Sequence, residues 1–288
     1  METGRRIEEA LTAARRARRL GGDELGALEV AWDVAVALGP DAPLAHRVAW
    51  KRAKAFARAG LDPLPCLEPL AETGLFAHYP RAVAGAESIA RAHQDTRGYG
   101  HPPIRRLWLA LADHQRELGH TAGWAHALLQ LAWDAACTGD LAELDRLVAE
   151  VERADAAEVS VDAHHTALRA ASWTGDADRA GEATEALLHA FEDRGAAPTP
   201  VVQEALLEAA VLFGGAHPPA WRAETPYRSA FQRGLREGGG ALAEAMELGR
   251  AEGPEWALAP WSVSRAIGVG LPGGEALIES SGCWAFRR

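Results

Sequence analysis

The stretch from Trp124 to Glu192 contains one residue pattern twice, and this duplication constrains the fold more than any other feature of the sequence. Thr138-Gly139-Asp140 and Thr174-Gly175-Asp176 lie 36 residues apart, each between two apolar-periodic runs of helical length. A glycine can end a helix in a left-handed conformation, and the aspartate after it can cap the next helix. The duplication therefore predicts two helical hairpins that stack, because neither can enclose a core alone.

Apolar side chains recur at helical spacing on both sides of each Gly-Asp turn. In the first copy they are Leu128, Leu131, Ala132 and Ala135 before the turn, and Leu144, Leu147, Val148 and Val151 after it. The set before the turn stands at the positions where the tetratricopeptide repeat family has Trp, Leu, Gly and Tyr. In the second copy the same positions hold His164, Ala167, Leu168 and Ala171. The pattern resembles that family in its turn and in the placement of small residues. The resemblance implies an all-α fold, a right-handed solenoid of about six stacked antiparallel helical hairpins.

The rest of the chain predicts further helices. Helical runs are expected over 5–20, 24–38, 44–59, 81–93, 104–118, 201–213 and 241–252. The residues expected to face the core are Ile7, Leu11 and Ala14 in the first run and Leu28, Trp32 and Val36 in the second. Pro69 interrupts the run from about residue 65 to residue 75, so this segment should be short or kinked.

Changes in composition divide the chain into three parts. The loop 94–103, which is rich in glycine and proline, separates N-terminal helical hairpins (1–95) from a main helical-repeat stack (96–253). From residue 254, tryptophan and aliphatic residues alternate with glycines without a long helical period, so we expect an irregular tail (254–288). It either caps the last hairpin, as solenoids require, or docks elsewhere through its aromatic and positively charged end, Trp284 to Arg288.

The composition is that of an acidic chain. The net charge is −10, which favours solubility and argues against nucleic acid as the main partner. Residues 1–60 contain eleven Arg or Lys and eight Asp or Glu, whereas 140–193 contain four and fourteen. Three widely spaced cysteines without a Cys-x-x-Cys argue against a disulfide framework, and no apolar run is long enough to span a membrane. The N-terminus also lacks the apolar middle of a signal peptide, so we expect a cytoplasmic protein without membrane contact.

The sequence contains none of the common motifs of catalysis or cofactor binding. Phosphate-binding and dinucleotide-binding glycine motifs, Gly-x-Ser-x-Gly, His-Glu-x-x-His and paired Glu-x-x-His are absent. The nearest approach to a ligand cluster is His114, Glu117 and His120, whose spacing does not keep all three on one helix face. We therefore predict no catalytic residues, no metal site and no cofactor.

In the family that the chain resembles, the first helix of each hairpin lines a concave groove. Under that alignment the candidate partner-binding residues are Arg16, Arg19, Arg47, Trp50, Lys54, Arg106, Arg116, His126, Trp133, His165 and Arg169. Such a groove would hold an acidic peptide or protein partner by charge-assisted hydrogen bonds, with aromatic side chains beside them. We therefore expect a non-catalytic scaffold or regulatory protein that acts through protein–protein interaction.

Three other interpretations stay open. In the first, the alignment assigns the wrong face and these arginines are only solvent-exposed. In the second, the region of His126, Trp133, His165 and Arg169 encloses a pocket, and the protein is an all-helical small-ligand sensor or enzyme. The third is nucleic-acid binding by the arginine row 15–19, which steep salt dependence would support. The sequence does not define the oligomeric state.

Overall fold

The computed structural model describes residues 2–154, 156–214, 225–252, 254–273 and 276. Across these residues the chain forms thirteen α-helices and no β-strand, so the expected all-α class is confirmed. The helices are α1 (Glu2–Leu20), α2 (Glu24–Val36), α3 (Pro43–Arg58), α4 (Ala82–Arg97), α5 (Pro102–Glu117), α6 (Thr121–Thr138), α7 (Leu141–Arg153), α8 (Ala157–Thr174), α9 (Ala177–Asp193), α10 (Pro200–Phe213), α11 (Pro226–Glu237), α12 (Gly239–Glu252) and α13 (Pro254–Ala266). Two short 3₁₀ turns, Leu64–Cys66 and Glu68–Leu70, lie between α3 and α4.

The chain forms two compact units, unit 1 (Met1–Leu118) and unit 2 (Gly119–Arg288). In unit 1 each of the helices α1 to α5 packs against the next along the chain. The core of α1 consists of Ile7, Leu11 and Ala14, as the apolar period predicts. In α2, Leu28 is buried as expected, but Val36 is 53% exposed because it is the last residue of the helix. The glycine- and proline-rich loop before α5 lies inside unit 1.

The segment between α3 and α4 forms 3₁₀ turns because three prolines, at positions 63, 65 and 69, prevent a continuous helix there. The expected short or kinked element is therefore present. Cys66, Leu67 and Leu70 are almost completely buried. The segment is thus part of the core of unit 1 although it contains no regular α-helix.

The duplicated stretch forms two helical hairpins in unit 2, α6 with α7 and α8 with α9. Gly139 and Gly175 adopt left-handed conformations (φ 74° and 75°) at the ends of α6 and α8. Asp140 then accepts a hydrogen bond from the backbone N–H of Glu143 at 3.2 Å, and Asp176 accepts one from Arg179 at 3.0 Å. The predicted turn chemistry is confirmed in both copies. Helix α8 packs on α6 and α7, and α10 packs on α8.

The last part of unit 2 differs from the expected irregular tail. Residues 254–266 form α13, which packs on α12, with Ala257 and Val263 buried. A proline at the first position favours a helix start, and the left-handed glycines at 268, 270 and 273 follow only after the helix ends. The glycines that predicted an irregular tail therefore all lie after α13. The aromatic and positively charged end, 284–288, lies outside the described residues.

Candidate functional site

A cluster of cationic side chains lies on α1 and α3 in unit 1, and we call it the cationic face. Its members are Arg15 and Arg18 of α1 and Arg47, Lys51, Lys54 and Arg58 of α3. On α3 the four cations follow each other at spacings of four, three and four residues, so they form one stripe along the helix. At about 1.5 Å per residue the stripe is about 16 Å long.

The charges of the two helices act on one another directly. Burial, followed by the charges of Arg47 and Arg15, lowers the pKa of Lys51. Burial, followed by the charges of Arg58 and Arg18, lowers the pKa of Lys54 in the same way. Like charges disfavour the protonated form of a lysine only when they are close. The α1 arginines and the α3 lysines therefore share one surface.

Acidic and hydroxyl side chains fix part of the cationic face. Glu8 of α1 accepts hydrogen bonds from Arg47, and Glu24 Oε1 accepts one from Arg58 at 2.7 Å. Lys54 donates to the hydroxyl of Ser88 on α4. Among the described residues, no acceptor contacts the ammonium group of Lys51. The face thus keeps a central cation that is available to an anion.

The cationic face contains two of the predicted partner-binding residues, Arg47 and Lys54. Arg15 and Arg18 of α1 also belong to it, because their charges act on the two lysines of α3. The predicted Arg16 and Arg19 are exposed on the same helix, as Arg15 and Arg18 are, and neighbouring residues on a helix point about 100° apart. The role of Arg16 and Arg19 in partner binding stays a prediction.

Trp50 lies in the core of unit 1 and not on its surface. It is 2% exposed, and its Nε1 donates to the carbonyl oxygen of Leu75 at 3.3 Å. Phe76 and Tyr79 lie against its ring, with centroids 5.8 and 6.2 Å away. Trp50, which was expected to lie beside the cations in a groove, is thus covered by the segment between α3 and α4.

The predicted residues of α5 are on the surface of unit 1. Arg106 is exposed, and Arg116 is exposed and donates to Asp113 Oδ1 at 2.7 Å. Ion pairs of this kind, on one exposed helix turn, contribute little to stability. Nothing in their contacts joins these arginines to the cationic face.

The four predicted residues of unit 2 are largely occupied by packing. The rings of Trp133 and Trp173 meet edge to face, with centroids 5.5 Å apart. Arg169 is almost fully buried and is hydrogen-bonded to Glu208 of α10. His165 carries a buried Nε2 atom without a hydrogen-bond partner, and His126 is half-buried. A groove-facing role for Arg169 therefore does not fit its position.

Arg169 belongs to a buried polar cluster that sequence analysis missed. Glu204 and Glu208 of α10 are almost fully buried, and Arg228 Nε of α11 lies 3.6 Å from Glu204 Oε2. Burial, together with the charge of Glu204, raises the pKa of Glu208 to about 7 although Arg169 opposes the shift. Burial and then the charge of Arg169 lower the pKa of His165 to about 3. The available signal was two glutamates four residues apart on the apolar helix α10.

A groove of about 1150 Å³ runs between α9 and α10. Its apolar side includes Leu206, Ala209, Ala210 and Phe213 of α10. Its α9 side includes Glu182, Glu185, His189 and Glu192. The described lining contains no lysine or arginine, so the α9–α10 groove and the cationic face differ in the sign of their charge.

Comparison with known proteins gives no relative from which a function could be transferred: no family model matches, and no curated protein or solved structure is similar to this chain. Within the described part of the chain, none of the helices combines the length and the hydropathy needed to cross a lipid bilayer. The same residues include no group of three or more His, Cys, Asp or Glu side chains placed to hold a metal ion. A function must therefore be inferred from the charge of the cationic face and from the shape of the α9–α10 groove.

Proposed function

We propose that this chain is a non-catalytic scaffold or regulatory protein whose cationic face binds an acidic peptide or protein partner. The observation that carries the proposal is the stripe of four cations along α3, where burial and neighbouring cations of α1 and α3 also lower the pKa values of Lys51 and Lys54. Holding like charges together at a half-buried surface opposes folding, and carboxylates of a partner would neutralise them. Charge-assisted hydrogen bonds from arginine and lysine would then supply affinity and orientation.

The same surface fits nucleic acid poorly. Proteins that bind single strands provide aromatic side chains for base stacking, but Trp50 is buried and Trp32 is covered by Arg52, whose guanidinium carbon lies 4.9 Å from the ring centroid. Glu8 of α1 and Glu24 of α2, which are bonded to Arg47 and Arg58, would also repel a phosphate backbone. An acidic peptide, which can place carboxylates at discrete points, suits a face of mixed charge better.

The finer architecture and the location of the protein belong to the same proposal. The two hairpins of unit 2 and the packing of α8 on α6 support a tetratricopeptide-like, right-handed solenoid arrangement within that unit. Cys66 and Cys137 are buried and form no disulfide among the described residues, which supports a reducing cytoplasm. The sequence-predicted roles of Arg16, Arg19, Arg106 and Arg116 in partner binding remain part of this proposal.

The test is binding of a fluorescently labelled peptide of about 15 residues in which Asp or Glu alternates with Ala. We expect the Lys51→Gln, Lys54→Gln variant to bind it at least roughly tenfold more weakly, since each charge-assisted hydrogen bond contributes about 1.5–3 kcal/mol. The Arg81→Gln, Arg91→Gln variant removes the same charge from exposed positions in the α4 region and should bind like the wild type. Equal binding by both variants, or equal competition by a single-stranded oligonucleotide of the same charge, would contradict the proposal.

A small-ligand sensor built on unit 2 is the second candidate. Its support is a set of buried polar atoms without hydrogen-bond partners: His165 Nε2, Ser172 Oγ and Glu208 Oε1. Small polar metabolites would be screened by the rise in melting temperature of the wild type and of His165→Leu. A ligand that stabilises the wild type but not the variant would favour this function, and no stabilising ligand would exclude it from the screened classes.

A further inference from the structure

The α9–α10 groove has the dimensions of a binding site for one helix. On α9 the lining positions run from Ala177 to Glu192, which at about 1.5 Å per residue gives a length of about 22 Å. On α10 the positions 206, 209, 210 and 213 share one face. A groove of this length between two helices leaves room for a third helix to pack by ridges and grooves.

Helix α9 differs from its counterpart α7 at two positions that carry acidic side chains in α7. Its counterpart α7 carries Asp145, which is bonded to Arg179 of α9, and Glu152, whose Oε1 lies 3.0 Å from His164 Nε2 of α8. Thirty-six residues later the same positions hold Gly181 and Leu188. The two acidic residues that α7 uses for polar contacts with the next hairpin are therefore replaced in α9 by a glycine and an apolar side chain.

These two replacements leave an exposed apolar side chain and an open point on α9. Leu188 is 45% exposed although it lies beside the apolar side of the groove. A Cβ atom added to Gly181 would meet no atom within 4 Å, so the helix surface at this point is open. Exposed apolar surface along a groove with a charged rim is typical of a protein-binding site.

The charge of the rim indicates the chemistry of the partner. Glu182, Glu185 and Glu192 lie along the α9 side, and the stretch 140–193 as a whole carries fourteen acidic against four basic residues. A helix that places leucine or alanine against α10 would bring its flank next to these carboxylates. Lysine or arginine on that flank would be favoured, and glutamate or aspartate would be rejected.

We propose that the α9–α10 groove binds one amphipathic helix of a partner protein, with its apolar face toward α10 and its basic flank along α9. In this mode of recognition the partner helix places apolar side chains at positions i, i+3, i+4 and i+7 into the groove. The site lies in unit 2, carries the opposite charge to the cationic face and does not depend on the function proposed above. The chain would thus recognise two partners, or two segments of one partner, of opposite charge.

The test uses the full-length chain and a synthetic peptide of about 15 residues, with leucine and alanine on one helical face and lysine on the other. Two control peptides share its length: one has the same composition in a non-amphipathic order, and one has glutamate in place of lysine. Fluorescence anisotropy with the labelled peptides gives the dissociation constants. We expect binding of the first peptide and at least roughly tenfold weaker binding of both controls.

Substitutions in the chain test the location of the site. Gly181→Leu fills the open point of the groove and should weaken binding at least roughly tenfold, whereas Gly240→Leu, at an equally open helical glycine in α12, should leave it unchanged. At both positions an added Cβ atom meets no atom within 4 Å, and leucine favours helix over glycine, so both variants should stay folded. The charge reversal Glu182→Lys, Glu185→Lys should weaken binding of the lysine peptide and strengthen binding of the glutamate peptide.

Three results would overturn the proposal. Equal affinity for the ordered and disordered lysine peptides would show that net charge alone attracts them. Unchanged affinity in Gly181→Leu would place the binding elsewhere. A change in the sedimentation coefficient of the chain alone on Gly181→Leu, without one on Gly240→Leu, would show that a second copy of this chain occupies the groove.

Discussion

Arg169 of α8 donates a hydrogen bond to the carboxylate of Glu208 on α10, 39 residues further along the chain, and both side chains are almost completely buried. Glu204, one turn before Glu208 on α10, adds a second buried carboxylate close to the first. The pair joins the second duplicated hairpin to the helix that follows it. Its energetics depend on whether both partners are present, because an unpaired charge in this position would be costly.

Replacing Arg169 alone should therefore destabilise unit 2. We expect Arg169→Met to lower the free energy of unfolding by roughly 3–5 kcal/mol, and the double variant Arg169→Met, Glu208→Met to regain most of the loss. Loss of the arginine raises the pKa of Glu208 further, so the folded variant binds an extra proton and its deficit should grow between pH 6 and pH 9. Urea denaturation at three pH values measures this. If the double variant is as unstable as the single one, the unpaired charge of Glu208 is not the cause of the loss.

His165 should make the protein sensitive to acid. Its folded-state pKa of about 3 lies below the ordinary value of 6.5, so the unfolded chain binds more protons and stability is lost as the pH falls from 6.5 toward 3. Between pH 7 and pH 4 the loss from this residue is about 3 kcal/mol. Glu208, with its raised pKa, acts in the opposite direction over 4.5 to 7, so the wild type alone is not informative.

The measurement is the difference between wild type and His165→Leu in urea denaturation at pH 7 and pH 4. We expect the variant to gain on the wild type by about 3 kcal/mol between the two pH values. His189→Leu, the same chemical change at an exposed position of α9, serves as the control. An identical pH dependence of His165→Leu and wild type would mean that His165 is protonated inside the folded protein.

The two Gly-Asp turns should both contribute to stability, and Asp176 also accepts a side-chain hydrogen bond from Arg179 Nε at 3.3 Å. Asp140→Ala and Asp176→Ala each remove a helix N-cap and should each cost about 1 kcal/mol in urea denaturation. Their effects should add, because the two sites lie in different hairpins. Asp178→Ala, which changes an exposed acid in the first turn of α9, should cost less than about half as much. Equal losses for all three variants would mean that capping is not the cause.

Cys66 should react slowly in the native protein. Burial in the core of unit 1 raises the pKa of its thiol to about 11, so the thiolate fraction at pH 8 is roughly a hundredfold below that of a free cysteine. The rate of iodoacetamide labelling, followed by mass spectrometry of the peptide that contains Cys66, should be at least that much lower in the native state than in urea. Similar rates in both states would show that the segment between α3 and α4 opens readily.

The sequence predicted the parts of the fold that depend on local pattern. Apolar spacing located α1 and its core residues Ile7 and Leu11, and the repeated turns located α7 and α9. Helix α13 was missed because the glycines after it masked its own short apolar period. Local patterns are informative where a helix has one continuous stripe, and they fail where a short helix adjoins a turn-rich segment.

The candidate sites could be predicted only in part, because they depend on how helices cross. The predicted set contains Arg47 and Lys54 of the cationic face but not Arg15 or Arg18, whose charges act on the α3 lysines from another helix. The contact between α8 and the glutamates of α10 joins residues almost forty positions apart, which no period in the sequence connects. The α9–α10 groove likewise depends on the separation of two helices, and the loop between them sets that separation.

The turns at Gly139 and Gly175 also bear on how a chain of this kind changes in evolution. Each 36-residue segment brings its own left-handed glycine, its own capping aspartate and both helices of one hairpin. An in-frame duplication or loss of one such segment would add or remove a complete structural module and leave the joins intact. An insertion of any other length would separate a helix from its mate, so the genetic step that this region tolerates is the hairpin and not the single helix.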